Sequence, residues 1–255
     1  MPTTTTVSSN YSGKEAGAIV LDERVVAPGK FKNDFDVCKE DFRSTWSSDL
    51  IGDSAMNPNM ASDIQAAILG EVLAAHAEKL DSDIWNGDNT DTSQFDGFVK
   101  QFTADASVIK PNNAGTAIDV SNVLTEMAKV RAAIPVALRR KDLVFAVSPD
   151  VADFYAQALI ENRITNGINA GVNTNDGAAM VYGRYGLTIV NGLPDDTMVV
   201  YEAKNLVFGT GLLGDHNQVA IVDEDEVGLL TGQVRGKLVY NAGVNYYNSE
   251  DIVYY

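Results

Sequence analysis

The sequence predicts an elongated α+β subunit, and three patterns carry that expectation. An apolar or aromatic residue returns at every fourth position through Ile64, Ile68, Val72, His76, Leu80 and Ile84, the stripe of a very long helix. Near the C-terminus Val234, Leu238, Tyr240, Ala242, Val244 and Tyr246 keep one face of a single long strand, with Arg235, Lys237, Asn241 and Asn245 on the other. Near the N-terminus Phe31, Phe35 and Val37 alternate with Lys32, Asp34 and Asp36 in a segment with few other residues to bury.

Residues 1–12 are rich in Thr and Ser and poor in apolar side chains, which reads as a mobile arm. Ala18-Ile19-Val20-Leu21 and Arg24-Val25-Val26 lead to a Pro28-Gly29 turn, and the alternating run Phe31–Cys38 follows. Together these suggest an extended β-hairpin over residues 13–45. A two-stranded hairpin alone in water is marginal, so it would need a neighbouring surface.

The long helix has a marked start: Ser62 and Gln65 form a capping box that would satisfy the first free amides. Leu69, Leu73 and Ala77 widen the stripe, which predicts Leu73 in the core, and Gly87 is read as a left-handed stop. About 24 residues at 1.5 Å rise give a rod of roughly 36 Å. A compact chain of this length has a radius of gyration of only about 18 Å, so the subunit should be elongated.

Beyond Asn86-Gly87-Asp88 the chain turns through polar residues to Phe95-Asp96-Gly97-Phe98-Val99. A second helix is predicted from Asp119 as cap to Ile134, where Pro135 stops it. Leu143–Val147 reads as a buried strand. Ser148-Pro149-Asp150 then starts a helix carrying Val151, Phe154, Tyr155, Ala158 and Leu159. Residues 165–179, with three Gly and four Asn, read as a long loop. Strands are expected at Leu187–Val190, Met198–Tyr201, Asn205–Phe208 and Val219–Val222, with a turn at Leu193-Pro194-Asp195-Asp196 and a closing run at Ile252–Tyr255.

Composition narrows the function. The net charge is −16, and it is unevenly placed: residues 13–45 hold six Lys/Arg against seven Asp/Glu, whereas residues 46–255 hold thirteen against twenty-eight. Such a body repels phosphate backbones, which argues against nucleic-acid binding. No apolar run reaches membrane-spanning length, and the opening Met1-Pro2-Thr3 lacks the layout of a secretory leader, so no membrane partner is expected. The single Cys38 allows no internal disulfide, consistent with a reducing compartment; it has no evident activating base and reads as structural.

Catalytic chemistry is sparse. Gly209-Thr210-Gly211-Leu212-Leu213-Gly214 matches G-x-G-x-x-G, but the dinucleotide site needs a helix next, and Asp215-His216-Asn217 leads into a strand. These glycines are therefore assigned to turns. His76 sits on the helix stripe, and His216 has no nucleophile elbow with it. Asp223-Glu224-Asp225-Glu226 reads as a solvated acidic turn in preference to a cation site. No catalytic, metal-binding or cofactor residue is assigned.

The order of parts resembles the Hong Kong 97 fold of tailed-bacteriophage major capsid proteins. Three stretches support it: Phe35-Asp36-Val37-Cys38-Lys39-Glu40-Asp41-Phe42 before Thr45-Trp46; Ile84-Trp85-Asn86-Gly87-Asp88 before Phe95-Asp96-Gly97-Phe98; and Gly243-Val244-Asn245-Tyr246-Tyr247 before Asp251-Ile252-Val253-Tyr254. They look like capsid proteins of crAss-like phages. The resemblance implies an N-terminal arm (1–12), an E-loop hairpin (13–45), a peripheral domain with the spine helix (46–112), an axial domain (113–232) and a long strand returning to the peripheral domain (233–255). It also implies self-assembly into pentamers and hexamers around DNA that is enclosed without specific binding, with scaffold, portal and decoration proteins as partners. Lys30, Phe31, Lys32, Phe35 and Val37 become the candidate inter-subunit contacts. Some members form Lys–Asn cross-links, and Lys14, Lys30, Lys32 and Lys39 lie in the matching hairpin, but no partner Asn can be placed. An encapsulin-type shell, a tail-tube module and a metal-dependent hydrolase are the competing readings.

Overall fold

A computed structural model describes residues 24–38, 62–111, 115–161, 180–211, 217–225, 227–229 and 231–255. The expected arm at 1–12, the first and last parts of the hairpin, the side chains of the capping box, the loop at 165–179, Gly214 and His216 lie outside the described residues.

The elements in chain order are β1 (Gly29–Cys38), α1 (Ser62–Asn86), α2 (Phe98–Ala104), α3 (Val123–Ala133), β2 (Leu143–Val147) and α4 (Pro149–Glu161). There follow β3 (Val181–Tyr182), β4 (Tyr185–Ile189), β5 (Met198–Glu202), β6 (Leu206–Gly209), β7 (Asn217–Asp223), β8 (Gln233–Tyr246) and β9 (Val253–Tyr254).

Two sheets organise them. The first is built on β8, whose fourteen residues are long for a strand. β1 runs antiparallel along Gln233–Ala242, β7 along Val234–Tyr240 and β6 along Gly243–Tyr246. The expected face is the one that is buried: Val234, Leu238, Ala242 and Tyr246 are each under a tenth exposed, as are Tyr240 and Val244. In the second sheet the order is β3-β4-β2-β5-β9, with β2 and β4 parallel and α4 in the connection between them.

That second sheet separates two apolar cores, because successive side chains on a strand point to opposite faces. Phe145 and Val147 of β2 join α3 and α4 in one core, while Ala146 between them joins the other. α4 contributes Val151, Tyr155, Ala158 and Leu159 at helical spacing. In the second core Trp85, Phe98 and Phe102 pack with the inner face of β8. Phe98 lies 5.3 Å from Trp85 and 5.7 Å from Phe102 between ring centroids.

Several expectations need correction. Gly87 is not left-handed; it is required for space, because a Cβ there would fall 2.3 Å from the Phe95 carbonyl oxygen. Gly97 donates its N–H to the Gly87 carbonyl at 2.9 Å, and a Cβ on it would fall 2.7 Å from the Trp85 carbonyl, so the two glycines close the loop between them. α2 follows at once, a seven-residue helix too short to show a period in the sequence. α3 begins at Val123, three residues later than expected, because the Asp119 carboxylate accepts from Ser121 N–H and Asn122 N–H and makes a turn before the helix. The Ser148 hydroxyl accepts from Thr197 N–H at 3.3 Å, a tie to the loop before β5.

The long helix is also less buried than its stripe suggests. Val72, His76, Leu80 and Ile84 are half-buried, and Leu73 is 39% exposed. Among the described side chains of α1, only Asp83 and Trp85, near its end, are buried.

Candidate assembly surface

β1 holds the residues expected to contact a neighbour. Its partner among the described residues is the chain's own β8, over ten residue pairs from Gly29–Ala242 to Cys38–Gln233, and not a second strand of a free-standing hairpin. The Phe31 ring lies 5.7 Å from Phe95 and 5.4 Å from Tyr240. Phe35 lies over Gly236 and Val37 is half-buried opposite Val234. Lys30 and Lys32 are exposed, and Lys32 is paired with Asp34 on the same face. Asp36 receives a 2.8 Å bond from Arg235 Nε across the pair. The strand thus turns its apolar side to its own chain and its charged side outward.

The approach to β1 is held by a compact polar cluster that sequence patterns did not reveal. Arg24 Nη2 donates to Asp105 Oδ2 at 2.8 Å and lies 4.2 Å over the Tyr246 ring. Tyr246 Oη donates to the same oxygen at 2.8 Å, and Asn245 Nδ2 donates to the Val25 carbonyl. Burial alone would raise the Asp105 pKa, but the bonds from Arg24, Ser107 N–H and Tyr246 outweigh it and hold it at about 2. Three segments distant in sequence meet here, so periodicity could not point to it.

The reactive candidates are packed into ordinary structural roles. His76 stands edge-on to Tyr240 at 4.5 Å, and its pKa is lowered chiefly by desolvation, with Asp83 opposing. Gly209 and Gly211 give room to Val26 and Asn241, whose atoms a Cβ would approach to 2.4 Å. Cys38 is free and half-buried at the end of β1. The acidic run is less solvated than expected: Asp223 and Glu224 are buried, Glu224 pairs with Arg235 at 3.2 Å, and Asp225 accepts from Gly232 N–H. It closes the β7–β8 turn, since carboxylates beside backbone amides and an arginine need little water. Among the described residues no group of His, Cys, Asp and Glu could hold a metal ion, and no helix is long and apolar enough to cross a membrane.

Among the described residues the single chain leaves several large apolar side chains exposed. Phe208 on β6 and Val219 and Val222 on β7 are each more than two-fifths exposed, as are Val227 and Leu229 in the turn before β8. Such residues along a sheet edge suit contact with another polypeptide.

No family model and no curated protein matches the sequence. Solved structures do match, over nearly the whole chain. A chain of the capsid of the native GTA particle superposes with a TM-score of 0.58 at 13% identity, covering 99% of this chain and 82% of the other. A chain of the satellite phage P4 procapsid gives 0.55 at 12% identity, covering 100% and 85%. The holo-SrpI encapsulin complex from Synechococcus elongatus gives 0.53 at 12%, covering 98% and 79%. Low identity beside near-complete coverage marks a shared architecture, and the architecture is the Hong Kong 97 fold that the order of parts predicts.

Proposed function

We propose that this chain is the major shell subunit of a tailed bacteriophage, self-assembling through pentamers and hexamers into a closed head that encloses genomic DNA. The observation that carries this is the end-to-end structural match to chains from a capsid and a procapsid. The exposed apolar residues of β6 and β7 agree with a role in contacts between copies. In this reading residues 46–112 and 233–255 form the peripheral part, residues 113–232 the axial part, and residues 13–45 the flap laid on a neighbour. Lys30 and Lys32 are its outward-facing contacts, and Phe31, Phe35 and Val37 keep the strand rigid beneath them. Assembly takes place in the bacterial cytoplasm with scaffold, portal and decoration proteins, and the net charge of −16 keeps packaged DNA from adhering to the wall. The product is the virion capsid.

The match to an encapsulin complex supports a second reading, a nanocompartment filled with protein cargo. Electron microscopy of the purified protein tests both. Closed shells are expected, and nuclease-protected DNA inside particles from infected cells separates a phage head from a cargo compartment. A chain that stays monomeric or dimeric at high concentration, with scaffold supplied, would overturn the shell reading.

A further inference from the structure

Among the described residues some cations of this acidic body are matched by carboxylates, while others, Lys30, Lys110, Lys204 and Lys237 among them, are not. Lys79, Lys100, Lys129, Lys141 and Arg235 each meet a carboxylate within 3.5 Å. Arg131, Arg139, Arg140 and Arg184 meet none among the described residues. Three of these four converge. Arg131 at the end of α3, Arg139 in the following single turn and Arg184 in the β3–β4 turn line one cleft of about 440 Å³ with Tyr182 and Tyr185.

The guanidinium groups there are positioned without being neutralised. Arg184 Nη2 donates to the Arg139 carbonyl at 2.6 Å and to Tyr185 Oη at 2.9 Å, and its plane stands 5.0 Å over the Tyr185 ring. Arg139 Nε donates to the Ile134 carbonyl at 3.2 Å. Carbonyl and phenol oxygens carry no net charge, so the cleft keeps its full positive charge and spare donors for a carboxylate.

The same unit carries the opposite charge at its other end. β4 is parallel to β2, which places Arg184 beside the start of β2. At the far end of β2, Asp196 Oδ1 accepts from Ile118 N–H at 3.0 Å, and Asp150 Oδ2 accepts from Asp196 N–H at 2.8 Å. Asp195 and Asp153 are exposed on the flanks of that cluster. Five strand residues, roughly 17 Å, separate the arginine pole from the aspartate pole.

We propose that the arginine cleft receives the aspartate pole of a second copy of this chain, so that successive copies join head to tail. The inference rests on the shell reading and names one of its contacts. A ring of identical copies with rotational closure needs two different surfaces on each copy that complement one another. Copies with a charge of −16 also repel one another unless cations are placed where they meet. A cleft that faces acid in a neighbour satisfies both conditions.

Charge reversal tests it at exposed positions. The variant Arg131→Glu/Arg184→Glu should fold with the wild-type circular dichroism and melting behaviour, yet give at least about a tenfold lower yield of shells by sedimentation and electron microscopy. Adding Asp153→Lys/Asp195→Lys, which exchanges the two poles, should restore the yield. If the arginine variant assembles like the wild type, the inference fails and the shell reading stands. A folded four-site variant that still fails to assemble also overturns it, because the cleft then meets something other than the aspartate pole. So does duplex DNA binding by the wild type that the arginine variant loses. Failure of the wild type itself to assemble counts against the shell reading instead.

Discussion

The Phe35 ring on β1 occupies the space that a side chain on Gly236 of β8 would need: a Cβ there would fall 1.9 Å from Phe35 Cζ. The two residues face each other in register. A glycine is thus what lets an aromatic residue lie flat across β8, the longest of the described strands. It weakens β8 locally, and the Phe35 ring covers the gap.

Gly236→Val should therefore displace Phe35 and loosen β1 without touching the second sheet. Overpacking of this kind costs about 1–3 kcal/mol. Thermal melting should move down, and trypsin should cut at Lys30 and Lys32 much faster than in the wild type. Unchanged cleavage would mean that the pairing with β8 does not hold the strand.

Leu73→Asp separates packing within one chain from packing between chains. Leu73 is 39% exposed, so the variant should change the melting temperature of the unassembled protein little, as surface substitutions stay within about 0.5 kcal/mol. If α1 meets a neighbour through this residue, shell yield should fall sharply all the same. A large loss of soluble, folded protein would instead restore Leu73 to the core.

These two cases show where the sequence was legible. β8 could be read residue by residue, because a buried face on a twisted sheet requires strict alternation. α1 was legible as a helix but not in its burial. A stripe at every fourth residue records that apolar residues share a face, and does not say whether that face meets the same chain or another copy. Gly87 and Gly97 were visible as a pattern, but their reason, a close approach of two backbone segments, exists only in three dimensions. The arginine cleft was least legible. From Lys129 through Lys141, both included, the sequence has five Lys/Arg and no Asp/Glu, yet only the β3–β4 turn brings Arg184 to that cluster.

Tyr255 Oη donates to the buried Glu126 carboxylate at 2.8 Å, joining β9's end to α3. Burial and this bond both raise the tyrosine's pKa, so it remains a donor well into the alkaline range. Tyr255→Phe removes the donor and leaves Glu126 with Lys129 alone. The expected loss is about 1–3 kcal/mol, read from urea unfolding with an unchanged slope. A change below the error of the measurement would show that Lys129 satisfies Glu126 unaided.

Asp105 gives a pH signature with a definite sign. Its pKa is held at about 2 against an ordinary 3.8; burial opposes this, and the bonds from Arg24, Ser107 N–H and Tyr246 prevail. A carboxylate depressed in the folded state adds stability that is fully present above its unfolded pKa and disappears as pH falls through the folded value. The wild type should therefore lose stability between pH about 4 and about 2, the window set by those two values. Asp88, held at about 2 first by its bond from Lys100, titrates in the same window, so the window alone does not identify the group. Comparison with Asp105→Asn does. At neutral pH that variant should melt below the wild type, and the gap should shrink as pH falls through about 2, below which both chains carry an uncharged group at 105. Arg24→Gln should narrow the gap in the same direction by removing the cation that stabilises the charged form. A gap that stays constant from neutral to pH about 2 would mean that Asp105 contributes through shape and not through its charge.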